Sequence, residues 1–321
     1  MNDSGQPNVQ LLLQRLAVAT LPQQKLDIVA SLKTLTKTAS FKEEIGRIAL
    51  PQLVETMRNE SSQEVVTEVV ELLVKLVEVD SRSNHTRKDN SPYINTEFLL
   101  QDHIAVDKLL SLLQEKDKLF LRRNAVTLLR TLAENRPKML GTTLLGIDAG
   151  MMRLVDVLTD QREEVRNELL LLLVCLTEHN TQVQDFCAFN DVWGSLLAIM
   201  KDEAMLGPIV QDCLQVIGNT LENNAMTCKL FSSEQCCQEV MTFLEIETLC
   251  DEIPPTAQHN EDLLRKSKFY QALRIFSSLV AKVRCVCIAF QPMPIPVSSK
   301  SDIVGCKGGD PGAGWGIKFR E

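Results

Sequence analysis

VRNELLLLLVCLTEHN, residues 165–180, is the most apolar stretch of a 321-residue chain. All eight residues from Leu169 to Leu176 are hydrophobic, with Glu168 before them and Glu178 close behind. Such a run suits a membrane anchor, a buried strand or a helix enclosed by other helices. An anchor needs about 20 consecutive apolar residues, and no window approaches that. A buried strand would be rich in Val and Ile, with glycine-bounded crossovers. Five consecutive leucines framed by Glu168 and Asn180 are better helix material. The reading is a helix that is apolar nearly all round because neighbours touch it on most sides.

Those neighbours are visible as repeats. Glu134, Glu178 and Glu222 recur at intervals of 44 residues. Leu128, Leu172 and Val216 keep the same register, as do Leu129, Leu173 and Ile217. Arg136, Asn180 and Asn224 follow them, and Arg122 falls on Arg166. The helix ends read LLRTLAENR, LLVCLTEHN and VIGNTLENN. Before each stands a medium amphipathic segment, at 106–117, 151–162 and 192–203. After each comes a shorter piece: KMLGTTLL, VQDFCAF and TCKLF. Two or three helices in about 40–47 residues is the armadillo/HEAT signature. The expected fold is all-α: an armadillo/HEAT-like right-handed α-solenoid of five to six helical repeats.

The N-terminal part continues the pattern less regularly. LPQQKLDIVASLKTLTKT and SSQEVVTEVVELLVKLVEV read as long helices, and IALPQLVETM as the medium helix before the second. Residues 80–95, DSRSNHTRKDNSPYIN, read as an inserted surface loop that breaks the register. Proline suits a first helical turn but not an interior. Pro22, Pro51, Pro92, Pro137, Pro208, Pro254 and Pro255 are therefore placed at helix starts or loops.

The net charge of −8 argues against nucleic acid, whose phosphates need a basic stripe. The first thirty residues lack a signal-peptide pattern, so the ten cysteines, all from Cys175 onward, read as reduced thiols. Cys175, Cys213 and Cys228 lie in apolar helical surroundings and act as small hydrophobes. Cys175 and His179 share a helical spacing, but no second ligand pair accompanies them, and no metal is expected. The histidines at 85, 103, 179 and 259 are scattered. GGDPGAGWG at 308–316 lacks the following helix that a phosphate loop needs. No catalytic motif, cofactor motif or nucleophile arrangement is found, and a binding scaffold is expected in place of an enzyme.

More specific ground lies at residues 150–167. Gly150, Arg153, Leu154, Asp156, Leu158, Asp160, Arg162, Glu163, Val165, Arg166 and Asn167 form a distinctive string. It resembles the head domain of the Uso family of vesicle-tethering factors, also called general vesicular transport factors. The likeness continues to Asn180, Phe189, Leu196 and Leu197, then through Asp212, Cys213, Leu214, Asn219, Leu221, Asn224 and Phe231. It spans residues 100–280, with a weaker fit over the first 80. The resemblance implies an armadillo-like head, a coiled-coil stalk that dimerises and an acidic tail. It further implies a cytoplasmic, non-catalytic tether, peripheral at Golgi membranes and transport vesicles in ER-to-Golgi traffic. Implied partners are Rab-type small GTPases, SNARE proteins and golgins.

Residues 1–282 are expected to form the head. Residues 283–321 change composition, gathering glycine and proline, and contain no heptads or acidic tail. A stalk-mediated dimer is not expected of them. Val283 and Arg284 are compatible with codons that begin GT, as a translated intron would give. Alternatives to a tether are another armadillo-type adaptor or an exchange factor for a GTPase or chaperone. A nuclear-import adaptor would show a Trp and Asn ladder, whereas Trp193 and Trp315 are the only tryptophans. Arg122, Arg123, Arg166 and Asn167 open two of the long helices and are the candidate partner contacts. The competing role for them is to hold adjacent repeats together.

Overall fold

The computed structural model describes residues 8–79, 91–203, 207–233 and 239–240. The last part of the expected head, 241–282, with Pro254 and Pro255, and the 283–321 segment lie outside the described residues. What is described is helical, with no strand among those residues. The first helices are α1 (Val9–Val18), α2 (Pro22–Leu35), α3 (Ala39–Asn59) and α4 (Gln63–Val77). Next come α5 (Ser91–Gln101), α6 (His103–Leu112), α7 (Leu119–Asn135) and α8 (Pro137–Gly146). Then follow α9 (Gly150–Val155), a 3-10 turn at Asp156–Thr159, α10 (Glu163–Thr177), α11 (Thr181–Phe189), α12 (Val192–Asp202), α13 (Pro208–Leu221) and α14 (Ala225–Ser233).

The long helices α2, α4, α7, α10 and α13 pack in sequence, each on the next. A second column runs α3, α5, α8, α11 and α14. Helices α6, α9 and α12 complete the later repeats, with α9 continued by the 3-10 turn. No single repeat buries its own apolar face, so stacking makes one continuous core. The opening stretch is α10, held between α7 and α13. Leu169, Leu170, Leu172, Leu173 and Leu176 are all fully buried there. Leu171 is not: it is 39% exposed and marks the one open side of the helix.

The 44-residue register reaches down to single backbone angles. His179 and Asn223 both adopt the left-handed conformation, with φ 54° and 55°. Each is followed by an asparagine that caps the next helix: Asn180 accepts from the Val183 amide, and Asn224 from that of Thr227. One repeat earlier Arg136 stands in the asparagine's place, at φ −142° before Pro137, and its side chain makes no cap bond. The last carbonyls of a long helix have no intrahelical partner, and the following helix satisfies them. The Asn95 Nδ2 donates to the Leu76 carbonyl at 2.9 Å and Gln184 Nε2 to that of Thr177 at 2.9 Å. Thr227 and Cys228 donate to the Thr220 and Leu221 carbonyls in the same way.

The structure corrects two boundaries. Pro51 lies inside α3, not at a helix start. An interior proline costs about 3 kcal/mol. Against this, Ile45, Ala49, Leu50, Leu53, Val54 and Met57 are buried on the same helix, each large one contributing roughly 1.5–3 kcal/mol, while Pro51 itself is exposed. One 21-residue helix thus takes in the medium helix expected at IALPQLVETM and extends it back to Ala39. The second correction concerns the polar loop, whose last five residues, 91–95, open α5. Pro92 occupies its first turn. Asn95 and Thr96 are buried because both are hydrogen-bonded, to Leu76 and to Pro92.

Candidate functional site

The sequence singles out the start of the long helices. There the structure shows a repeated clasp between adjacent repeats. Lys25, in the first turn of α2, pairs with Glu60, just before α4. Gln63, opening α4, donates to Glu115, ahead of α7, at 3.4 Å. Arg122, in the first turn of α7, pairs with Asp160, ahead of α10. Arg166, in the first turn of α10, pairs with Glu203 at 3.0 Å. Arg122 also donates its Nε to the Leu113 carbonyl at 2.7 Å and is only 3% exposed. Burial pushes the Asp160 carboxyl up, yet the bond and charge of Arg122 hold it below the ordinary value. A bond from Lys25 likewise holds Glu60 low.

Of the four candidate contacts, two are thus engaged within the solenoid. Asn167 is half-buried, with its Oδ1 closed off from solvent and from any donor among the described residues. Arg123 differs from all three. It is exposed, and its guanidinium lies 5.8 Å from the ring centroid of Phe120, itself 67% exposed. Sequence reasoning missed Phe120 because the preceding KDK and the following arginines hide it within a charged run. An exposed aromatic beside a stacked arginine is the composition of an interface anchor.

The open side of the long helices continues past Arg123. Leu171 stands on α10, while Thr127, Arg130 and Glu134 lie on α7. Arg130 is bound by Glu134 and by Glu168, the latter at 2.7 Å. Between α4 and α7 a groove of about 410 Å³ is lined by Val74, Glu78, Val79, Tyr93, Arg130 and Glu134, among others. The thiols point to core packing instead of chemistry. Burial pushes Cys187 and Cys213 up to about 12 and Cys175 up to about 11, so the nucleophilic thiolate is suppressed. Among the described residues no three metal-binding side chains converge.

With this geometry in view, the comparisons with known proteins are direct. The chain is 30% identical to human general vesicular transport factor p115 over 247 residues, which covers 74% of this chain and 25% of the human protein. The chain belongs to the Uso family of general vesicular transport factors. Within that family it is also 24% identical to the intracellular protein transport protein USO1 of Saccharomyces cerevisiae, over 86% of this chain and 18% of the yeast protein. No family model matches the chain. A crystal structure of Uso1 superposes with a TM-score of 0.72 at 21% identity, covering 85% of this chain and 44% of that one. A designed armadillo repeat protein superposes with a TM-score of 0.64 at 15% identity, over 85% of this chain and 100% of its own. These structures establish the armadillo-like solenoid. The chain spans about a quarter of the length of its p115 relatives. No helix among the described residues is long and apolar enough to cross a membrane.

Proposed function

We propose that this chain is a non-catalytic protein-binding scaffold, the head of a tether for vesicles in ER-to-Golgi transport. It acts in the cytoplasm, peripherally at Golgi membranes and vesicles. Its partners are Rab-type small GTPases, with SNARE proteins and golgins also engaged by the tether. The names of its relatives, which are vesicular and intracellular transport factors, support this reading. The observation that carries the contact surface is the Phe120–Arg123 pair. It is the exposed anchor at the mouth of an otherwise clasped row of long helices. Arg122 and Arg166 hold the repeats that present it.

The test is a pull-down of the chain against Rab-type GTPases in both nucleotide states. Capture that depends on nucleotide state is expected, and loss of capture in the Phe120→Ala/Arg123→Glu double variant. Capture unchanged in that variant would move the contact elsewhere. No capture in either state would remove the GTPase partner.

A further inference from the structure

We infer that the groove between α4 and α7 receives an arginine or lysine side chain from a partner protein. This deepens the scaffold reading and rests on it only in taking the long-helix face as a protein-binding one. The first observation is a charge imbalance. Among the described residues Arg130 is the one cation lining the groove, and it is already bound by two carboxylates, Glu134 and Glu168. Glu78 adds a third carboxylate at the mouth. Its side chain is exposed and has no partner among the described residues, although its main-chain oxygen accepts from Lys42 Nζ at 2.7 Å. An incoming cation would meet Glu78 as the carboxylate that the described residues leave without a side-chain partner, while Glu134 is already shared with Arg130.

The second observation is shape. Val79 is 41% exposed and Val74 half-buried, so both offer apolar surface inside the groove. Long cationic side chains lay their methylene stems on such surface and keep the charged head at the polar end. About 410 Å³ holds one of them with room for water. The third observation is that the neighbouring corner already binds a guanidinium in this manner. Arg136 stacks on Tyr93, a groove residue, 4.7 Å from the ring centroid, and pairs with Glu97 at 2.8 Å. Tyr93 is thus an aromatic surface at the groove that already holds one guanidinium. An acidic or phosphorylated segment is disfavoured, because Glu78 and Glu134 would repel it.

The experiment uses the full chain and fluorescein-labelled glycine–serine peptides carrying arginines, lysines or glutamates. Fluorescence anisotropy reads binding at low and at physiological salt. The arginine peptide is expected to bind, more weakly as salt rises, and the glutamate peptide to give no response. Glu78→Lys should weaken the arginine peptide by about tenfold or more, the loss of one charge-assisted contact. Glu43→Lys, an exposed α3 position outside the groove, should leave it unchanged, with matching thermal melts for all variants. Equal binding of the glutamate peptide, equal affinity in Glu78→Lys, or no binding of any peptide would overturn the proposal. A chain that captures a GTPase but ignores the arginine peptide sinks the groove alone. One that binds the peptide and captures no GTPase keeps the groove and removes the GTPase partner.

Discussion

Arg122 and Asp160 are joined across a repeat boundary, with the arginine 3% exposed and the carboxylate side chain 13% exposed. Removing one member of a buried pair leaves the other desolvated and unpaired, which costs about 3 kcal/mol or more. Arg122→Ala should therefore destabilise by about 3 kcal/mol in denaturant unfolding. The Arg122→Met/Asp160→Asn double variant should cost less than the sum of its singles, because it strands no charge. Neither single should alter partner capture in molecules that remain folded. A variant that stayed fully stable yet lost capture would return Arg122 to the contact surface.

The same clasp makes stability depend on acid. Asp160 and Glu60 have folded-state values below their ordinary ones. Their contribution is present above the unfolded value, near 4, and is lost as pH falls through the folded value. Wild type should thus exceed Asp160→Asn in stability at neutral pH. The gap should close as the pH drops below the ordinary carboxylate range. Unfolding curves across that range measure it, and a gap constant with pH would mean that the carboxylate charge contributes nothing.

Leu171 and Leu172 are adjacent in sequence and opposite in consequence. Leu172 is fully buried between neighbouring repeats, whereas Leu171 is 39% exposed on the long-helix face. Leu172→Asp loses roughly 1.5–3 kcal/mol of burial and places a carboxylate in the core, at several kcal/mol more. That is comparable to the stability of a whole domain. The α10 repeat should unfold, seen as a lowered and broadened circular-dichroism melt. Leu171→Asp should melt within a few degrees of wild type, a surface change of about 0.5 kcal/mol.

This contrast shows where the sequence was legible. The leucine run and the 44-residue register identified α7, α10 and α13, because a buried long helix leaves the same apolar positions in every unit. They could not say that Leu171 alone is open, since that depends on which side α7 and α13 leave uncovered. Pro51 was misplaced because local propensity was read without the burial that outweighs it. The start of α5 was missed because Ser91, Pro92 and Asn95 look like loop residues, and the Asn95 amide is satisfied by the Leu76 carbonyl, a partner that only the fold identifies. Arg122, Arg123, Arg166 and Asn167 were found by register, but register cannot separate a clasp from an exposed side chain. The groove left no local signal: Glu78 and Glu134 belong to different repeats, on either side of the 80–90 insertion.

Gly141 and Asn180 test the packing between α8 and α11. A Cβ built on Gly141 would overlap the Asn180 side-chain amide and crowd Val183 Cγ2 at 3.2 Å. Asn180 cannot simply withdraw, because its Oδ1 caps α11 through the Val183 amide at 3.3 Å. Two effects compete in Gly141→Ala. Alanine is preferred in a helix interior by about 1 kcal/mol. Overpacking costs about 1–3 kcal/mol, and a displaced cap about 1 kcal/mol more. The penalty is larger, so Gly141→Ala should destabilise the wild-type chain. Asn180→Ala alone should cost about 1 kcal/mol for the lost cap. In that background the amide is gone, and Gly141→Ala should cost at least about 1 kcal/mol less than in wild type. A double-mutant cycle by denaturant unfolding gives this coupling directly. Strict additivity would show that the α8–α11 approach yields without strain, and that Gly141 is present for some reason other than the close contact with Asn180.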